Sequence, residues 1–220
     1  MTPTLDWQLI EQLQERLRHP LPGLQAHLTM APSSRATPES LLVQGKPCRE
    51  AAVLVLLFPV DGAPHTLLTV RRAHLSHHAG QVSFPGGRCE EGETFAQTAL
   101  REAHEEIGLS AESVNLIGTL SPIYVPPSNF CVYPQVALAD TPPRVLSESD
   151  EVQCVLFVPL AHFLTPRHIG IERWNLRDAP VHVPVYYVEP YKVWGATAMI
   201  LAELLTILRE LSLKTNPTNT

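Results

Sequence analysis

The stretch GGRCEEGETFAQTALREAHEEIGL, residues 86–109, decides how this chain is read. Glycines punctuate both ends, and glutamates stand at 90, 91, 93, 102, 105 and 106. The apolar spacing predicts a helix over 94–107, closed by Gly108. With Arg101 at zero and about 100° per residue, Glu105, Glu102 and Glu106 fall at about 40°, 100° and 140°. Ala96, Ala99, Leu100, Ala103 and Ile107 occupy the adjoining arc of about 160° to 260°. One stripe therefore packs on a core, and its alanines let a sheet come close. The other stripe carries three carboxylates with no lysine among them. Like charges three and four residues apart cost about 0.2–0.5 kcal/mol per pair. A compensating cation accounts for that penalty better than a solvated acidic face does. Hard oxygen donors of this density suit Mg²⁺ or Mn²⁺.

Outward from this helix, AAVLVLLF at 51–58 predicts a buried strand, with HTLLTVRR at 65–72 as its hairpin partner across Asp61-Gly62. A histidine-rich loop and a short strand, QVSF, lead into Pro85-Gly86-Gly87. VNLIGTL, NFCVYPQVAL, EVQCVLFVPL and PVHVPVYYVE predict further strands, and Trp194-Gly195 opens a last helix. Upstream, residues 5–17 have helical spacing, and 20–48 read as a Pro-, Ser- and Thr-rich loop wrapping the domain. Strands mixed with a few long helices give an α/β (α+β) single domain. The expected organisation is an N-terminal helix with a Pro-rich wrapping segment (1–48), the main domain (49–212) and a disordered tail (213–220).

The chain has 220 residues, 45% of them hydrophobic, enough for a globular core. A net charge of −6 offers no electrostatic footprint for nucleic acid, so no nucleic-acid partner is expected. The N-terminus has no signal-peptide pattern, and no apolar run is long enough to span a bilayer. A cytoplasmic protein without a membrane partner is expected. Cys48, Cys89, Cys131 and Cys154 form no C-x-x-C pair, which argues against zinc. They are expected to be free thiols.

The pattern Gly87, Glu93 and Arg101-Glu102-Ala103-His104-Glu105-Glu106-Ile107-Gly108-Leu109 resembles the Nudix box at every fixed position. Ala103 stands where a larger aliphatic residue is usual. The resemblance implies the Nudix fold, a mixed β-sheet sandwiched between helices. It also implies Mg²⁺-dependent (or Mn²⁺-dependent) hydrolysis of a nucleoside diphosphate derivative, a small-molecule partner. By resemblance, Glu102 and Glu106 are metal ligands, and Glu105 is either a third ligand or the group that activates water. Arg101 holds a box glutamate, Glu93, and the backbone at Gly86 or Gly87 faces the metal. A base in a later loop is the alternative, with Glu148, Asp150 and Glu151 as candidates. The family also allows a homodimer.

The preceding segment LLTVRRAHLSHHAGQVSFPGG, residues 67–87, resembles the coenzyme A diphosphatases of this superfamily. Leu67, Leu68, Thr69, Arg71, Gly80 and Phe84 to Gly87 match. Arg72 and Ser76 depart, the first replacing a small residue and the second an arginine. Arg71, Arg72, His78, Gly80, Phe84, Gly86 and Gly87 are the expected substrate-binding residues. His74, His77 and His78 read as loop histidines that bond phosphate or backbone, not as a metal site. The implied reaction releases 4′-phosphopantetheine and adenosine 3′,5′-bisphosphate. The alternative substrates are ADP-ribose, a nucleotide sugar or a damaged nucleotide, and a non-catalytic ligand sensor is a remote third reading.

Overall fold

The computed structural model describes residues 5–72, 80–146, 150–176 and 179–215. Two helical turns come first, α1 (Trp7–Glu11) and α2 (Leu13–Arg16), followed by α3 (Leu24–Leu28) and α4 (Pro38–Leu41). Strands β1 (Arg49–Val60), β2 (Ala63–Arg71), β3 (Val82–Ser83) and β4 (Gly86–Arg88) lead into α5 (Phe95–Ile107). Next are β5 (Asn115–Thr119), β6 (Ile123–Val125), β7 (Phe130–Leu138) and β8 (Val152–Pro159). A hairpin of β9 (Ile169–Leu176) and β10 (Ala179–Val188), then β11 (Tyr191–Val193), precedes the closing helix α6 (Gly195–Thr215).

Strand β1 is the axis of the main sheet because it is apolar on both faces. It pairs antiparallel with β2 and β4 and parallel with β7, so the sheet is mixed. Ala52, Leu54, Leu56 and Phe58 meet Ala99, Ala103 and Ile107 of α5 on one face. Val55 and Leu57 point the other way, into a core shared with α1, α2 and α6. This period-two division of a continuous apolar run is what a strand buried on both faces requires. The sheet thus lies between helices, and β9, β10 and β11 form a second, three-stranded sheet.

Helix α5 is fixed at both ends by local chemistry. Thr94 and Gln97 form a reciprocal capping box: the Thr94 hydroxyl accepts from the Gln97 amide at 3.3 Å, and the Thr94 amide donates to Gln97 Oε1 at 2.9 Å. Gly108 ends the helix in the left-handed conformation, at φ 67°.

Several expectations change. The helical spacing over 5–17 is broken at Gln12 into α1 and α2, and the wrapping segment contains α3 and α4. The last helix runs to Thr215, where a tail from 213 was expected, because no proline or glycine intervenes before Pro217. Residues 216–220 lie outside the described residues. The expectation of four free thiols fails, since Cys48 and Cys131 form a disulfide. The parallel register explains it: Arg49 faces Phe130 and Glu50 faces Cys131, which brings Cys48 alongside β7. Cys89 and Cys154 are free. Among the described residues, no helix is long and apolar enough to cross a membrane.

A buried carboxylate that sequence analysis did not single out ties the N-terminal segment down. Glu203 of α6 is 0% exposed. Its Oε1 accepts from the Gly23 amide at 2.8 Å and the Ser121 hydroxyl at 2.6 Å. Its Oε2 accepts from the Ser121 amide at 2.9 Å and lies 3.2 Å from His27 Nε2. Burial pushes this carboxyl up, but the bonds from His27 and Ser121 outweigh it and hold it below its ordinary value. Removing one partner from such a buried group is costly because the others lose their acceptor. Glu203→Ala should therefore destabilise the fold by about 3–5 kcal/mol, read from denaturant midpoints. A loss under about 1 kcal/mol would show that the clamp is dispensable.

Candidate active site

The glutamates of α5 come together because of two glycines opposite them. A Cβ on Gly86 would run into the Ala52 carbonyl and Val53 of β1, and a Cβ on Gly87 would occupy the space of the Glu102 carboxylate. Strand β4 can therefore press against both β1 and α5 only with glycine at these positions.

Arg101 organises the carboxylates. Its Nε donates to Glu93 Oε1 at 2.7 Å and its Nη2 to Glu93 Oε2 at 3.0 Å. Its Nη1 reaches Glu102 Oε1 at 2.9 Å and Glu105 Oε2 at 3.2 Å, and Nη2 also donates to the Arg88 carbonyl at 3.1 Å. The bonds from Arg101, then from Thr98, pull the Glu93 carboxyl down to about 2. In return, Glu93 raises the Arg101 guanidinium above its ordinary value.

Glu106 is the inward member of the stripe. Its Oε2 accepts from the Gly86 amide at 3.3 Å, and its Oε1 lies 3.7 Å from Arg71 Nη1. These contacts are too weak to offset its burial, which pushes its carboxyl up to about 8. Glu102 is also shifted upward, again by burial. Glu105 is the most open of the three, with its side chain 56% exposed.

The second arginine of the site is Arg71, at the end of β2. Its Nη2 donates to Glu151 Oε2 at 3.0 Å, bridging Glu151 to Glu106. Its Nε is buried without a hydrogen-bond partner among the described residues. Arg72, also expected to bind substrate, does not line the cavity beside this site; its Nε donates to the Val152 carbonyl at 3.2 Å.

A cavity of about 870 Å³ opens beside this cluster. Arg71, Phe84, Gly86 and Gly87, all expected from sequence to bind substrate, line it. Gly80 instead donates its amide to the Arg71 carbonyl at 3.0 Å, and it does not line the cavity. His74, Ser76, His77, His78 and Glu148 lie outside the described residues. Arg88, Trp194 and Arg35 line the cavity without having been singled out. Arg88 directly follows the glycine pair, a usable local signal, whereas nothing near Arg35 in sequence points to the site.

Among the described residues, no three Asp, Glu, His or Cys side chains converge as a metal cage. The carboxylates are shared out between Arg101 and Arg71 instead. Their chemistry nonetheless suits a hard divalent cation: all are oxygen donors, Gly87 leaves room for the Glu102 carboxylate, and Glu106 is a buried carboxyl short of positive charge.

Comparison with known proteins places these features in one class, hydrolases acting on phosphorus anhydrides. Residues 49–177 match the NUDIX domain family. The chain is 35% identical over 176 residues to Nudix hydrolase 3 of Caenorhabditis elegans, covering 71% of this chain and 72% of that protein. It is 37% identical over 165 residues to the human mitochondrial coenzyme A diphosphatase NUDT8, covering 72% of this chain and 69% of that one. It is 38% identical over 160 residues to the uncharacterized Nudix hydrolase NudL of Citrobacter koseri, covering 71% and 81%. The chain belongs to the Nudix hydrolase family, whose members generally use divalent metal cations.

The upward shift of Glu106 has a consequence for stability. Its carboxyl sits at about 8 in the folded chain against an ordinary 4.5, so between those values the folded state keeps a proton that the unfolded state has lost. Stability contributed by this group is full below 4.5 and declines as pH rises through 8. In EDTA, the melting temperature of the wild type should fall more steeply over that window than that of Glu106→Gln. Equal slopes would mean that Glu106 ionises freely in the folded state.

Proposed function

We propose that this protein hydrolyses the diphosphate bond of coenzyme A or its derivatives, using Mg²⁺ or Mn²⁺, to 4′-phosphopantetheine and adenosine 3′,5′-bisphosphate. The observation that carries the chemistry is the glutamate stripe of α5 set against Gly86 and Gly87, which themselves line a cavity with Arg35, Arg71 and Arg88. The choice of coenzyme A is supported by the residues 67–87 match and by the 37% identical human relative named for that activity.

Glu102 and Glu106 are the residues assigned to hold the cation. A bound divalent cation supplies charge neutralisation at phosphate oxygens and lowers the pKa of water. Arg101, braced by Glu93, keeps Glu102 and Glu105 oriented, so its role is positioning. Glu105, the member open to solvent, takes a proton from the attacking water or serves as a third ligand. Glu151 is the later-loop candidate base, held in its ion pair with Arg71. Arg71 is assigned to bond a diphosphate oxygen, a reading supported by its place on the cavity wall and by its buried Nε, which has no hydrogen-bond partner among the described residues. Attack by water forms one P–O bond and breaks the bridging one, leaving a phosphomonoester on each product.

Glu102→Gln and Glu106→Gln should each keep the fold and lower kcat by about 10²-fold or more, the scale set by weakening a bound Lewis acid. Turnover near the wild-type rate in either variant removes that residue from the assignment. A panel of coenzyme A, dephospho-coenzyme A, ADP-ribose and NADH, with products resolved by mass, should show coenzyme A cleaved most efficiently. If ADP-ribose is preferred and coenzyme A ignored, the substrate assignment is wrong and the Nudix chemistry stands.

A further inference from the structure

The cavity has a charge pattern that the whole chain does not share. The net charge is −6, yet the charged residues described along the cavity wall are Arg35, Arg71 and Arg88, with no carboxylate among them. Much of the remaining wall is apolar, with Val53, Phe84, Val125, Phe130 and Trp194 contributing. Such a space selects a ligand that is anionic at more than one point and apolar between.

The arginines enter from different elements. Arg71 and Arg88 flank Gly86-Gly87, beside the carboxylates. Arg71 is already committed to Glu106 and Glu151. Arg35 comes from the N-terminal segment, outside the family-matched residues 49–177. Its Nη2 lies 3.9 Å from where a Cβ on Gly195 would be, next to Trp194 at the start of α6. Its backbone is held in place: the Ser40 hydroxyl donates to the Arg35 carbonyl at 2.6 Å, and Ser33 accepts from the His182 amide of β10 at 3.0 Å. Arg35 itself engages a neighbour, but a guanidinium has five N–H donors and can serve a phosphate at the same time.

We infer that Arg35 is a specificity-determining residue, binding a second phosphate group of the substrate, a phosphomonoester remote from the anhydride that is cleaved. On the proposed function, on which this inference rests, that group is the ribose 3′-phosphate of coenzyme A. A terminal phosphate is doubly charged and presents paired oxygens, which a guanidinium fork recognises better than an ammonium does.

The test separates binding from turnover. Calorimetry should show wild-type protein binding adenosine 3′,5′-bisphosphate more tightly than AMP by about tenfold or more. In Arg35→Ala that ratio should collapse toward one, and Arg35→Lys should restore part of it. The kcat/KM ratio of coenzyme A to dephospho-coenzyme A should follow the same order. Circular dichroism and melting temperature establish that each variant is folded. A wild type with no preference for the bisphosphate overturns the inference. So does a ratio unchanged in Arg35→Ala, or one that survives there and falls in Arg88→Ala. If coenzyme A is not hydrolysed but the bisphosphate preference still depends on Arg35, the inference holds and the proposed substrate falls.

Discussion

A helix that packs one face on a sheet and carries three carboxylates on the next needs positive charge within reach, and Arg101 provides it. From one guanidinium it bonds Glu93, Glu102 and Glu105 and the backbone of the preceding strand. Without it, α5 would approach the glycine pair with like charges facing a low-dielectric core. Glu93 is drawn strongly to its ionised form as a result. Glu106 makes no hydrogen bond to this fork among the described residues; Arg71 at 3.7 Å and the Gly86 amide at 3.3 Å do not offset its burial, and it is pushed up instead. Glu93, just ahead of the helix, and Glu106, near its end, are thus shifted in opposite directions by their surroundings, which is how a site prepares groups for different tasks.

The opposite face of the sheet has a second dependence, on Glu203. That carboxylate joins the N-terminal segment at Gly23 and His27 to the loop at Ser121, ahead of the residues 125–128 that line the cavity. The N-terminal segment is consequently a wall of the site and not a loose wrapping. Its position lets Ser34, Arg35 and Ser40 reach the cavity. The disulfide between Cys48 and Cys131 ties the end of the same segment to β7, whose residues Phe130 and Val132 also line it.

Local patterns were read well from sequence where the cause is local. The Asp61-Gly62 hairpin, the strand at 51–58 and the box helix with its terminal glycine all follow from backbone preferences within a few residues. The break of the first helix at Gln12, the short helices α3 and α4 and the extension of α6 to Thr215 were not legible. Short helices depend on tertiary packing more than on propensity.

By itself the sequence determined that one helix would carry a carboxylate stripe beside an alanine stripe, and that Arg101 would stand among the glutamates. Those are consequences of a 3.6-residue period and of residue sizes, both written in order along the chain. Only the tertiary structure decided which distant groups complete the site. Glu151 reaching Arg71, Cys131 meeting Cys48, Glu203 gathering Gly23, His27 and Ser121, and Arg35 entering the cavity beside Trp194 join residues far apart in sequence. Their meeting is set by strand register and by which face of each element is buried, and these are properties of the packed sheet, not of any one segment.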